Sequence, residues 1–255
     1  MKKFPKPESL PALMGAAGLL ALLLHRLLFV VAVDAGGLPL PGHPLALVLL
    51  VLTLAVTVLA YMATRRLTGT PEYGPNFPAG TRGAVGCAVF AFCILGTVLF
   101  QPCAMAGVMS QVWRWLGLGA ALALLWIGLF RHWGKVPYFG LYLLVCLFLG
   151  IHVTSHYRVW SGTSQVRAYL FPLLGGISLL FYAYYQMAFT VGFGNRRKLL
   201  CLGMLSIYLG LAGLLDTAYP MLWLGSLVWV WTSLCAYHVP PAPEKPQTPP
   251  EEAKT

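Results

Sequence analysis

The chain has 255 residues, 58% of them hydrophobic and 9% charged, whereas an ordinary soluble domain carries roughly 45–50% and 25%. So few charges cannot cover a water-soluble globule of this size, so the composition excludes a soluble fold and points to lipid. A net charge of +10 would suggest a nucleic-acid surface in a soluble protein, but its distribution along the chain assigns it to another role.

A membrane-spanning helix needs about 20 predominantly apolar residues, because lipid offers the backbone no hydrogen-bond partners. Eight runs satisfy this, over 11–33, 43–64, 83–101, 112–130, 137–154, 168–190, 199–215 and 219–238. They predict an all-α integral membrane protein, a compact bundle of about eight transmembrane helices forming one domain over residues 1–238. The first run follows Lys2, Lys3 and Lys6, as a secretory signal would. It is too long for one and contains His25 and Arg26, so it is read as a retained helix.

Each break supplies a charge, a turn former or both. The first holds Asp34, Gly36, Gly37, Pro39 and Pro41, and the longest, from Thr68 to Thr81, holds Pro71, Pro75 and Pro78. After the last run, residues 239–255 contain six prolines with interspersed Glu and Lys. That composition cannot form a core and predicts a disordered tail.

Basic residues are retained on the cytoplasmic side during insertion. With the N-terminus inside and eight crossings, thirteen of the seventeen Lys and Arg fall on that side: Lys2, Lys3, Lys6, Arg65, Arg66, Arg82, Arg131, Lys135, Arg196, Arg197, Lys198, Lys245 and Lys254. The expected topology is therefore N-in/C-in, and most of the positive charge belongs to it rather than to a nucleic-acid partner. Trp113, Trp115, Trp160, Tyr219 and Trp223 are expected at the outer interface, and Trp133 and Tyr138 at the inner one. Small residues four apart (Ala84 and Ala88, Gly117 and Ala121, Ser206 and Gly210) predict close helix packing. The chain has no Asn-x-Ser/Thr sequon, which favours a bacterial cytoplasmic membrane.

Catalytic and nucleotide motifs are missing. Gly128 to Lys135 lacks P-loop spacing, Gly192-Phe193-Gly194 lacks the third glycine of a dinucleotide fingerprint, and no acidic residue sits at a helix centre. The six cysteines show no Cys-x-x-Cys pair, so neither a disulfide framework nor a structural zinc site is expected, and no cofactor is implied.

What remains is a polar set towards the outer face. Arg26 lies about 10 Å inside the outer end of its helix by helix rise, a depth at which an arginine needs a partner or water. An ion pair with Asp216 or Asp34 is the structural reading. In the functional reading Arg26, Arg114 and Arg158, with Asp34 and Asp216, line an outward-facing pocket for an anionic or amphipathic solute, the arginines outnumbering the aspartates. His152 and His156, four apart, share a helix face with metal-ligand spacing but lack a fixed third ligand. In the sixth run, Phe181, Tyr182, Tyr184, Tyr185 and Gln186 are assigned mainly to packing. Three function classes fit: a small transporter or ligand-binding membrane protein first, a non-catalytic subunit assembling with a membrane partner second, and an enzyme acting on lipid-linked substrates third.

Overall fold

The computed structural model describes residues 9–32, 40, 43–65, 67, 69–101, 107–161 and 170–237, and every regular element among them is helical. In chain order these are α1 (Leu10–Val31), α2 (Pro44–Thr64), α3 (Tyr73–Asn76), α4 (Thr81–Phe100), α5 (Val108–His132), α6 (Phe139–Ser161), α7 (Leu170–Thr190), α8 (Arg196–Ala212) and α9 (Pro220–Cys235). Apart from α3, a single turn within the proline-rich connection, they occupy the eight apolar runs. The expected tail over 239–255 lies outside the described residues.

Six of them, α1, α2 and α4 to α7, are long and apolar enough to cross a membrane. The 22 residues of α1 extend about 33 Å at 1.5 Å per residue, which matches a hydrocarbon core of about 30 Å. The last two runs give shorter helices, 17 residues in α8 and 16 in α9. The first turn of α8 is Arg196, Arg197 and Lys198, capped by Asn195, whose Oδ1 accepts from Lys198 N at 3.1 Å. The chain leaves the helix at Gly213. A short helix is tolerated here because α8 packs against α1, α2, α7 and α9, and protein neighbours relieve a helix of the need to reach both lipid boundaries.

Contacts between consecutive helices from α4 to α9, closed by α4 against α9, make a ring of six. α1 packs outside it on α8, and α2 on α1 and α8. Glycines set the closest approaches: a Cβ at Gly18 would lie 2.9 Å from Leu211 Cβ and 3.1 Å from the Tyr208 carbonyl, and one at Gly128 would lie 3.1 Å from the Ala84 carbonyl. The small-residue positions Ala84, Gly117 and Gly210 all lie at such seams, which is how helices gain contact where lipid supplies no hydrophobic drive. The exterior is apolar, with Leu23, Val30, Leu47, Leu54, Phe92 and Phe100 all exposed. An apolar surface this extensive on a helical bundle marks a lipid environment, and the chain is a multi-pass membrane protein.

Long-range bonds show which helix ends lie together. Gly80 N donates to the Arg131 carbonyl at 3.4 Å, Gly194 N to the Pro71 carbonyl at 3.2 Å, and Tyr237 OH to Asn76 Oδ1 at 2.9 Å. Gly15, near the start of α1, sits against Trp231, near the end of α9. The first and last described residues are therefore at one end of the bundle, here the terminal end. The opposite, far end carries the connection between α8 and α9.

Three of the aromatic residues expected at the outer interface are instead interior. Trp113, Tyr219 and Trp223 are 1%, 3% and 6% exposed, because Trp113 and Tyr219 pack on each other and on His152 of α6, and Trp223 lies against Gly175 of α7 and Gly210 of α8. Trp115, Trp133 and Tyr138 are exposed, as a headgroup-level position requires.

Candidate functional site

At the far end, Asp216 reaches α1 with both carboxylate oxygens. Oδ2 lies 2.9 Å from His25 Nδ1 and Oδ1 lies 3.4 Å from Arg26 Nη2. The histidine is buried, with its ring edge-on to Phe29 at 5.0 Å and Phe171 at 5.1 Å. The Arg26 side chain keeps 41% of its surface exposed, against 9% for Asp216, so it lies along the surface and presents its head to the carboxylate. Arg26 and Asp216 are thus brought together, while Asp34 and Arg167 lie outside the described residues.

The other two arginines of the outer set stand apart from this pair. Arg114 is exposed on α5 and lines an open groove of about 420 Å³ with Val98, Leu99, Gln111, Trp115 and Leu118. Arg158 is exposed near the end of α6. Among the described residues both ion pairs belong to Asp216, so neither Arg114 nor Arg158 has a carboxylate partner there.

His152 and His156 do meet, with ring centroids 4.5 Å apart at 60°. Tyr219 is 5.5 Å from the first and 5.0 Å from the second, and Trp113 stacks on His152 at 6.3 Å. Both histidines are 5% exposed, and His152 Nδ1 has no hydrogen-bond partner. No cluster of three or more His, Cys, Asp and Glu side chains forms among the described residues; Asp216 is engaged with α1.

Sequence reasoning missed the site at the terminal end of the ring. Arg131, in the last turn of α5, counts towards topology in the sequence, yet its side chain turns into the bundle and is 3% exposed. It crosses to α9 and donates from Nη1 to Ser233 Oγ at 2.8 Å. Its guanidinium lies 5.1 Å from the centroid of the Phe77 ring, and a Cβ at Gly83 would come within 2.7 Å of its Cζ. Gly83 therefore provides the space that lets the arginine enter. The last-turn carbonyls of α5 and α9 favour a cation in this position, but among the described residues no carboxylate forms an ion pair with it.

Around Arg131 stand three phenols and a thiol within electrostatic range, Tyr73, Tyr142, Tyr182 and Cys87. Tyr142 OH donates to Gln186 Oε1 at 2.9 Å and lies 3.4 Å from Tyr73 OH. Tyr182 OH faces Gln186 and Ser233 without forming a well-directed bond to either. Gln186 is fully buried, and its Nε2 has no acceptor. Tyr182 and Gln186 are one turn apart on α7 and so share a face, whereas Phe181 and Tyr184 point out to the lipid side. That polar pair at four-residue spacing was the signal the sequence did carry.

α3 covers this end. Tyr73 and Phe77 are 4% and 3% exposed and stack at 4.6 Å. Phe77 meets Phe189 and Tyr237 edge-on, and Asn76 is pinned by Tyr237. Burial pushes the Tyr73 phenol pKa above its ordinary range, with the Arg131 cation opposing in part. Tyr73 therefore stays a neutral donor at physiological pH. No family model, curated protein or solved structure matches the chain.

Proposed function

We infer that the chain is a ligand-binding or transport protein of the cell membrane, crossing the bilayer eight times with both termini in the cytoplasm, and that its solute site lies inside the α4–α9 ring. The observation that carries this reading is the inward-facing polar set of Arg131, Tyr142, Tyr182, Gln186 and Ser233, drawn from α5, α6, α7 and α9. It lies within a ring whose outside is apolar. Polar and charged groups buried inside a bundle without a counter-charge are costly, and in membrane proteins they commonly mark a ligand or ion path.

The orientation is supported by the terminal end. Arg65, Arg82, Arg131, Lys135, Arg196, Arg197 and Lys198 gather there, as the retention of basic residues on the cytoplasmic side requires. Eight crossings also return the chain to the side on which it started, in keeping with the shared position of its described ends. The open groove at Arg114 is the outward-facing cationic surface of this reading.

The test is reconstitution of the full chain into liposomes, followed by uptake and filter-binding of a labelled panel: benzoate, phenylacetate, inorganic phosphate, choline and glucose. Saturable binding or entry of at least one solute above protein-free vesicles is expected. Absence of both for every solute would overturn the reading in favour of a non-catalytic subunit.

A further inference from the structure

The polar groups around Arg131 are unbalanced in a way that specifies a ligand. A guanidinium has five N–H donors and no acceptor; here one donor goes to the neutral Ser233 hydroxyl. Gln186 Nε2 is a fully buried donor without a well-directed acceptor, and the Cys87 thiol, a weak acceptor, is shared between Arg131 and Trp229. The nearby acids do not answer this surplus. Of the two described carboxylates, Asp216 is engaged at the far end and Glu72 is exposed, and neither forms an ion pair with Arg131. A cation 3% exposed with only neutral partners is costly to bury unless a charged acceptor joins it.

We propose that this end of the ring binds a small, flat monocarboxylate, with Arg131 taking the carboxylate and Gln186 and Tyr182 donating beside it. This rests on the reading of the ring interior as a solute site and adds the chemistry of the solute. One guanidinium fork pairs with one carboxylate. The two oxygens of a carboxylate match the guanidinium fork, and they supply charged acceptors where Arg131 has only neutral ones. The walls are aromatic, with Phe77 on the guanidinium face and Tyr73 stacked on Phe77, so the body of the ligand is apolar and planar. α3 closes the site from the terminal end, and the Asn76–Tyr237 bond holds it shut.

The experiment uses the full chain in nanodiscs and equilibrium binding of labelled benzoate, competed by benzamide, phenylacetate and inorganic phosphate. Saturable benzoate binding is expected, displaced by phenylacetate and untouched by the neutral benzamide. Arg131→Gln should weaken it about tenfold to hundredfold, the worth of a hydrogen bond to a charged group. Gln186→Leu, which leaves the charge in place, guards against a folding failure of the first variant; it should weaken binding several-fold while circular dichroism and Tm stay near those of the parent. Benzoate should also raise Tm in the parent and not in Arg131→Lys, whose point charge lacks the fork.

Equal benzoate binding in Arg131→Gln would overturn the proposal, as would competition by benzamide, or phosphate binding in preference to both carboxylates. If choline or glucose bind and the carboxylates do not, the solute site stands and its anionic chemistry falls. If no solute binds, both fall.

Discussion

The carboxylate of Asp216 lies 2.9 Å from His25 and at the same time holds Arg26 at 3.4 Å, so one side chain in the α8–α9 connection fastens two consecutive residues of α1. The two contacts are unequal in environment, since His25 is buried and Arg26 is only partly so. Asp216→Asn should lower unfolding stability by about 1–3 kcal/mol, below the range for a fully buried pair because Arg26 is only partly buried. Double-mutant cycles in detergent should give a larger coupling for Asp216 with His25 than with Arg26. A larger coupling to Arg26 would show that the exposed partner carries the contact.

A second prediction concerns the space under Arg131. A methyl group at position 83 would meet the guanidinium carbon at 2.7 Å, and Arg131 is fixed between Ser233 and Phe77. Gly83→Ala should therefore cost about 1–3 kcal/mol through overpacking. Combining it with Arg131→Ala should cost less than the sum of the two single changes, because the obstruction is gone. Additive losses in thermal unfolding would mean that the side chain relaxes elsewhere.

The α1–α8 seam gives a third. Beyond Gly18 lie the Leu211 Cβ and the backbone carbonyl of Tyr208, neither of which can move without shifting α8. Gly18→Val should separate the two helices and destabilise the protein by about 1–3 kcal/mol. Disulfide crosslinking between cysteines placed on α1 and α8 should fall accordingly; unchanged crosslinking and Tm would show that the seam tolerates the extra volume.

The closure by α3 should respond to alkaline pH. Tyr237 lies beyond α9, its OH bonded to Asn76, and burial raises its pKa while Arg196 opposes this in part. A phenol with a raised folded pKa contributes stability that is fully present below its unfolded pKa of about 10 and is lost as pH rises beyond it. The parent should lose stability from pH about 10 upward. Tyr237→Phe should begin about 1 kcal/mol lower and show a shallower alkaline slope, Tyr73 supplying what remains. Parallel slopes would place the titration elsewhere.

Helix positions were legible because lipid imposes a length and a composition that apolar runs display directly. The Arg26–Asp216 contact was legible as well, since an arginine that deep has few acids to choose from. Arg131 was not. A basic residue at a helix end satisfies the rule for orientation whether it faces water or turns inward, and only the gap at Gly83, on another helix, decides between the two. Trp113 and Tyr219 were misread for a related reason. Aromatic residues near helix ends fit the interface by composition, but the His152–His156 face draws these two into the ring.

The orientation itself yields the last prediction. Tyr138 and Phe193 are exposed at the terminal end, and Val108 and Tyr157 at the far end. In a background in which all six cysteines are replaced, single cysteines at these four positions report sidedness to a membrane-impermeant maleimide. The cysteines Cys87, Cys93, Cys146 and Cys201 are free thiols, so replacing them breaks no cross-link. Cysteines at 108 and 157 should react in intact cells, and those at 138 and 193 only after permeabilisation. The assignment follows from the basic residues at the terminal end, because moving Arg or Lys across the bilayer during insertion is disfavoured. It is independent of what the ring binds. The reverse pattern would turn the molecule over and place Arg131 and its α3 cover at the outer surface. Reaction of 108 and 157 from opposite sides would break the count of eight, because those positions flank the α5–α6 hairpin and share an end only if both helices cross.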